Sequence, residues 1–554
     1  MSGLPIPGPD ELLFVPLGGS GEIGMNMNLY GYAGRWIMID CGVTFRDEQM
    51  PEADVVMPDI RALEGMEDRI EAIVLTHAHE DHHGAVHHLW PRLRCPVLAT
   101  PFAATLLREK LSDAGLREVV PVDQVAPGAS RQLGDFRVEY VPITHSIPES
   151  HAIALTTPAG VVLHTGDWKF DPRPGLGPTT DEARLRQLGD AGVLAITGDS
   201  TNALVAGESG SEGDIADELV PLVDGQEGLV AVATFASNVA RLRTVAEVAQ
   251  RCGRRMALVG RSLWRLTDAA RTAGYLDGIP AFVKEDAIRS HPRRELLVAC
   301  TGSQGEPRAA LSRIIERRHR ALHFAPGDRV IFSSRVIPGN EIAVKRIWNG
   351  LTELGCDVIT SDQAPIHVSG HPARDELTRM YHCIRPRIAL PVHGEPLHIR
   401  AHATLARSLQ VPEVFEPRNG RVIRLAPGAA AEAGRVDVGR LVLDGAGVVP
   451  RESDHLQARR RMAYHGAVTV TMVVEDDEVL VEPRVTLHGL DPAGSGVRVD
   501  IAETVLSVWD GLPASQGEDD GQARAVLEKA VRRTCRRSLF KRPDVVVELI
   551  RLRD

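Results

Sequence analysis

One stretch limits what this chain can become: Ile73-Val74-Leu75-Thr76-His77-Ala78-His79-Glu80-Asp81-His82-His83-Gly84-Ala85. Its apolar, β-branched start reads as a buried strand. The strand stops at Thr76, and His77, His79, Asp81 and His82 then fall within six residues. Four such groups on one turn repel each other or compete for protons unless a cation lies among them. Imidazole and carboxylate together point to zinc, manganese or iron in a site free of thiolate. The plainer alternative is a histidine-rich surface turn, and the ordered spacing His-x-His-x-Asp-His argues against it. A helix is expected to begin after Gly84. His83, His87 and His88 are read as supporting or solvated residues rather than ligands.

The chain has 554 residues, enough for two to four domains. Its 43% hydrophobic and 25% charged content is ordinary for a soluble globular protein. Met1 to Glu11 has no basic region followed by an apolar core, so no signal peptide is expected. No apolar run approaches the ~20 residues that span a bilayer. The seven cysteines are scattered and never form CxxC, which fits a reducing, cytoplasmic setting. A net charge of −11 opposes nonspecific attraction to nucleic acid. A local basic channel or a bound metal overrides that balance.

Taken in order, strands are expected at Leu13–Leu17, Met27–Tyr32 and Trp36–Cys41. The glycine-rich turn Gly18–Gly24 is not a phosphate loop, because it lacks a following Lys-Ser/Thr and leads into a strand. Asp40, at a strand end, either supports a ligand histidine or satisfies its own turn. Phe45 to Pro58 reads as a polar loop. Beyond the histidine motif come a strand at Cys95–Thr100 and a helix at Pro101–Ala114. Apolar strands then end in His145, in Asp167, in Asp199 and in His393, repeating the arrangement at His77. Between about Glu212 and Ala364, strands and helices alternate as in a doubly wound parallel sheet. Three loops there, at Thr234–Asn238, Thr301–Pro307 and Ser333–Glu341, carry small polar groups suited to phosphate oxygens or to ordinary turn chemistry. His367, Ser369 and His371 follow. Arg451–Arg461 reads as a charged linker, and a small α/β region closes the chain. Its basic run, Arg532–Arg542, reads as a solvated helix face ahead of an RNA contact.

Thr76–His82 resembles the signature of the metallo-β-lactamase fold, which hosts lactamases, thioesterases, lactonases and nucleases. Nearly the whole chain resembles the ribonuclease J family, of the β-CASP branch. The stretches that carry this are Gly18–Gly24, Thr76–His82, His145–Ser150, His164–Asp167, Gly198–Asn202, Thr301–Pro307, Pro338–Glu341, His367–His371 and Pro391–Glu395. The resemblance implies an α/β metallo-β-lactamase αββα sandwich, in residues 1–211 and 365–450. A doubly wound β-CASP domain is inserted at 212–364, a linker spans 451–464, and a small α/β domain spans 465–554.

It further implies two divalent cations, zinc first, with manganese or magnesium as alternatives. His77, His79 and His145 would hold one, Asp81, His82 and His393 the other, and Asp167 would bridge them. His371 would give a proton to the departing 3′-oxygen, with Asp199 orienting it. His367 and Ser369 would meet the scissile phosphate. Ser237, Asn238, Ser333 and Arg335 are assigned to RNA or 5′-phosphate contacts. The expected activity is 5′-to-3′ exonuclease on 5′-monophosphorylated single-stranded RNA, with endonuclease activity, in RNA maturation and decay. A homodimer is expected, with a tetramer as the alternative, and no membrane association. Three rivals stand beside this: a DNA nuclease of the same branch, a small-ester or thioester hydrolase, and a metal-poor RNA-binding scaffold. The small-ester reading leaves the inserted domain, Asp199 and His371 without a use.

Overall fold

The computed structural model describes residues 3–45, 55–337, 339–475, 478–490 and 496–552. Most of the loop read at Phe45–Pro58, and Pro338 of the Pro338–Glu341 motif, lie outside these. The end of that loop, Val55–Pro58, is a strand that pairs antiparallel with Arg440–Asp444. Contacts divide the chain into two units, with a boundary at Val448/Val449.

In the larger unit, two mixed sheets of eight and seven strands face each other. Strand Leu12–Gly18 illustrates why its sequence is an unbroken apolar run. Leu12 and Phe14 enter the core between the sheets, with Tyr30, Ile39, Val74, Tyr140, Ile153 and Leu390. Leu13, Val15 and Leu17 join Trp36, Leu89, Trp90 and Phe102 in the layer beneath the helices. A strand buried on both faces needs apolar residues at every position. Leu163, Ile196 and Ala389 of the second sheet pack under Leu185, Leu188, Leu377 and Met380 of its own helices. The result is the expected αββα layering.

The stretch from Glu212 to Ala364 contributes a separate five-stranded sheet, all parallel. Its order is Arg255–Val259, Leu296–Cys300, Val230–Ala233, Arg329–Phe332 and Asp357–Ile359. The three polar loops follow Ala233, Cys300 and Phe332, at the carboxyl ends of neighbouring strands, so they share one sheet edge.

Arg241 fastens this inserted part where the chain passes in and out of it. Its side chain is fully buried. Nε and Nη2 donate to Glu212 at 2.5 and 2.8 Å, and Nη1 donates to Ser333 O, Ser333 Oγ and Ile366 O at 2.9, 2.6 and 3.2 Å. Removing one partner of a buried pair strands the other charge, at about 3–5 kcal/mol. Arg241→Met is therefore expected to lower the unfolding free energy of the larger unit by about that much, read as a fall in its urea midpoint. A midpoint unchanged within error contradicts the clamp.

The smaller unit is built around Ala467–Glu475. This strand pairs parallel with Asp544–Leu552 and antiparallel with Arg484–His488 and Glu478–Val479. Helices Val497–Asp510 and Asp520–Leu539 cover it through Ile501, Val505, Leu527 and Val531. Asp454–His465, within the stretch read as a charged linker, is a helix. Leu456, Gln457, Ala458, Arg459 and their neighbours are strong helix formers, and high charge does not break a helix. Arg532, Arg533, Arg536 and Arg537 lie on the solvent face, while Thr534 and Cys535 face the core.

Candidate metal centre

The two sheets bring their strand ends to one place. Strand Ile70–Val74 of the first sheet delivers the histidine turn. Strands Ala195–Asp199 and Ile388–Val392 of the second end at Asp199 and immediately before His393. His145 and Asp167 each lie three residues past a strand end of that sheet. The helix expected after Gly84 begins earlier: Glu80–His83 already forms one turn, with His79 as its N-cap, and Val86–Leu93 follows. Neighbouring backbone pins this turn, as Asn26 N donates to Asp81 O, Cys41 N to His82 O and Val43 N to Glu80 O, at 2.7–3.0 Å. Gly42 must be glycine for this, since a Cβ there would sit 1.7 Å from Asp81 O.

Three overlapping groups result. His77, His79, His145 and Asp167 each place a nitrogen or oxygen within 4.8 Å of the others. So do Asp81, His82, Asp167 and His393, and so do Asp167, Asp199, His371 and His393. Asp167 belongs to all three. His79 Nδ1 lies 3.1 Å from His77 Nε2 and 3.0 Å from His145 Nε2. Asp167 Oδ2 is 3.2 Å from His82 Nε2, and Oδ1 is 3.4 Å from His393 Nε2. His83, His87 and His88 fall outside these groups. His83 Nδ1 donates to His79 O at 2.8 Å.

The outer ring nitrogens decide what the inner ones present. His145 Nδ1 meets Gly370 O at 2.7 Å, His82 Nδ1 meets Asp40 Oδ2 at 2.7 Å, and His393 Nδ1 meets Asn26 Oδ1 at 3.0 Å. Each partner is an oxygen that accepts, so each Nδ1 carries a proton and each Nε2 is the nitrogen left facing inward. Burial above all pushes His79 and His145 down to about 3, so both are neutral. Neutral nitrogens crowded around a carboxylate, with Asp167 Oδ1 buried and unpartnered, form an acceptor-rich pocket that fits divalent cations. Gly370 again leaves no room for a side chain, since a Cβ would fall 2.7 Å from His145 Cε1.

His371 belongs to the third of these groups. Its Nδ1 lies 2.8 Å from Asp199 Oδ2, and Asp199 is buried. Burial works against a charge on His371, but Asp199 and Asp167 outweigh it and push the pKa up to about 9. Ser369 Oγ accepts from Asn202 Nδ2 at 2.7 Å and from His371 N at 3.1 Å, which shapes the same turn. His367 is half-buried and neutral, pushed down to about 3 chiefly by burial.

Two of the residues assigned to RNA contacts also serve the fold. Asn238 Oδ1 accepts from Arg241 N and caps helix Val239–Arg251. Ser333 Oγ is buried, accepting from Arg241 and donating to Ile366 O at 2.6 Å. Both side chains are committed to holding the fold. Ser237 is half-buried and Arg335 exposed. Asn26, unforeseen, bridges His393 to the histidine turn, with Nδ2 3.1 Å from Asp81 O and from His82 Nε2. Its only sequence signal was its place just after the glycine-rich turn.

Family models match the chain in four segments. Residues 22–222 match the metallo-beta-lactamase superfamily and 227–351 the ribonuclease J beta-CASP domain. Residues 363–414 match a Zn-dependent metallo-hydrolase RNA specificity domain, and 455–552 the ribonuclease J C-terminal domain. A ribonuclease J from Sinorhizobium meliloti is 43% identical over 97% of each chain. This chain belongs to the ribonuclease J family. The ribonuclease J of Mycobacterium tuberculosis is 38% identical over 98% of this chain and 99% of its own. That of Thermus thermophilus is 35% identical over 90% and 88%. A crystal structure of a protein of unknown function from Enterococcus faecalis shares the fold over 75% of this chain and all of its own, with a TM-score of 0.52 at 16% identity.

Proposed function

We propose that the metal-dependent ribonuclease activity that membership of this family establishes is carried out at the Asp167 cluster. The observation that carries this reading is the single carboxylate shared by three ligand groups. His77, His79 and His145 would hold one divalent cation, and Asp81, His82 and His393 a second, with Asp167 common to both. Nitrogen and oxygen donors without sulfur favour zinc, with manganese or magnesium as alternatives. Bound there, such cations supply charge neutralisation for the phosphoryl oxygens and acidify water.

The chain's own residues do the rest. Asp199 holds Nδ1–H of His371, so Nε2 is the nitrogen left for substrate. As a water oxygen bonds to phosphorus and the P–O3′ bond breaks, a proton passes from Nε2 to the departing 3′-oxygen, leaving a 3′-hydroxyl and a 5′-phosphate. His367 and Ser369, on the same turn as His371, would border the scissile phosphate. Arg335 and Ser237 would meet the RNA or its 5′-phosphate. We take the substrate as single-stranded RNA, cut 5′-to-3′ from a monophosphorylated end and also internally, in the maturation of ribosomal RNA and the decay of messenger RNA. A homodimer in the cytoplasm is the expected state, with a tetramer as the alternative. All seven cysteines are free, which suits a reducing compartment. No helix among the described residues is long and apolar enough to cross a membrane.

The test is degradation of one RNA carrying either a 5′-monophosphate or a 5′-triphosphate, with a matched DNA strand alongside and metal content measured on the same sample. The monophosphorylated RNA is expected to be degraded at least about tenfold faster, because a pocket shaped for one phosphate rejects the extra charge and bulk of three. Equal rates at both ends would remove the 5′-preference, and preferred cleavage of DNA would remove the substrate assignment.

A further inference from the structure

The loop that delivers His145 is held from outside the hydrolase sheets. At its far end stands Glu149, whose φ of +57° is rare for a residue with a side chain and costs about 1 kcal/mol. Three hydrogen bonds hold it there. Glu149 Oε2 accepts from Phe102 N at 2.8 Å, at the free first turn of helix Pro101–Asp113. Glu149 O accepts from His151 Nδ1 at 2.7 Å. Glu149 Oε1 accepts from Tyr275 Oη at 3.0 Å, and Tyr275 belongs to the inserted part of the chain.

The loop between is short and closed. Ile143 N donates to Ser150 O at 3.1 Å, and His151 N donates to Thr76 O at 3.1 Å, one residue before His77. A shift at Glu149 is therefore passed to both ends of the first ligand group. Tyr275 is itself anchored. Its ring meets Phe102 edge-on at 6.0 Å, and its carbonyl accepts from Arg243 Nη1 at 2.9 Å. Arg243 lies on the helix that carries the buried Arg241. Burial, with Glu149 close by, raises the Tyr275 hydroxyl well above its ordinary range, so it stays a donor.

We propose that Tyr275 and Glu149 are positioning residues through which the inserted domain holds the His145 loop, so that the first ligand group is complete only with that domain seated. This rests on the metal reading of the cluster given above.

The test uses the full-length, metal-loaded protein and the variants Tyr275→Phe, Glu149→Gln and the two combined. Tyr275→Phe keeps the ring against Phe102 and removes only the hydroxyl. Partners behind metal ligands are worth about 10–100-fold in affinity, and this one stands a step further back. Release of divalent cation to a chromogenic chelator is therefore expected to favour the chelator about three- to tenfold more than in the wild type. Turnover number for bis(p-nitrophenyl) phosphate, a diester too small to need the RNA channel, is expected to fall in proportion. The unfolding midpoint should move by no more than about 2 °C. The double variant should lose less than the sum of the two single losses, because both changes act on the same Tyr275–Glu149 hydrogen bond. Unchanged metal release and small-diester turnover, with or without a raised KM for RNA, overturn the proposal and leave Tyr275 a seat for the inserted domain only. Wild-type protein that binds no divalent cation overturns the metal reading itself, and the tie with it.

Discussion

Replacing His79 by alanine is expected to lower RNA hydrolysis by about four orders of magnitude or more while leaving RNA binding within about twofold. The first part follows from the geometry of one nitrogen. His79 Nδ1 lies 3.1 Å from His77 Nε2 and 3.0 Å from His145 Nε2, so it is the corner that the first ligand group shares. Without it two histidines and a shared carboxylate remain on that side. The centre then loses the charge neutralisation that a phosphodiester displacement needs, worth several kcal/mol at the transition state. The second part follows from position. His79 caps a one-turn helix whose backbone is held by Asn26, Cys41 and Val43, so the fold does not depend on its ring. Metal analysis should show one equivalent lost, and fluorescence anisotropy with a labelled oligonucleotide should show binding retained. Activity within tenfold of the wild type, at any metal content, removes His79 from the centre.

The residues of this centre were legible because each follows the same local rule. An apolar run ends, and a histidine or aspartate stands at or just beyond its end. His77, His145, Asp167, Asp199 and His393 all obey it. Parallel pairing of three neighbouring strands gathers Asp167, Asp199 and His393, the strand before His145 runs the same way one strand further along, and the strand before His77 arrives from the other sheet. What the sequence left open has an equally physical cause. Asp40 was readable either as a support for histidine or as a satisfied turn residue, and it is both: it holds His82 Nδ1 and also accepts from Thr76 N at 2.8 Å. The hydrogen bonds of Ser333 and Asn238 within the fold were not legible, because a small polar side chain in a βα loop looks the same whether it faces a ligand or caps a helix. The Glu212–Arg241 pair spans 29 residues and has no periodic signature. Helix Asp454–His465 hid behind its charge. Helix propensity there depends on side-chain shape and not on polarity.

His371→Ala is expected to slow the chemical step by about 10²–10⁴-fold with metal content unchanged. His371 belongs to the third group and not to either of the first two, so removing it leaves both of those sets intact. Asp199 Oδ2, 2.8 Å from Nδ1, fixes which ring nitrogen keeps a proton for the leaving oxygen. Asp199 is buried, and its Oδ1 accepts from Thr201 N at 2.9 Å, so it cannot turn to take over the role of donor. Single-turnover rates separate this from slow product release, and metal analysis separates it from ligation. Asp199→Asn should fall between the wild type and His371→Ala, because an amide still reaches Nδ1 but no longer favours the protonated ring. Added imidazole should restore part of the rate in His371→Ala and none in His79→Ala, since a small base can carry a proton but cannot rebuild a ligand corner. If His371→Ala instead loses metal while its single-turnover rate stays normal, the proton donor lies elsewhere and His371 is a ligand.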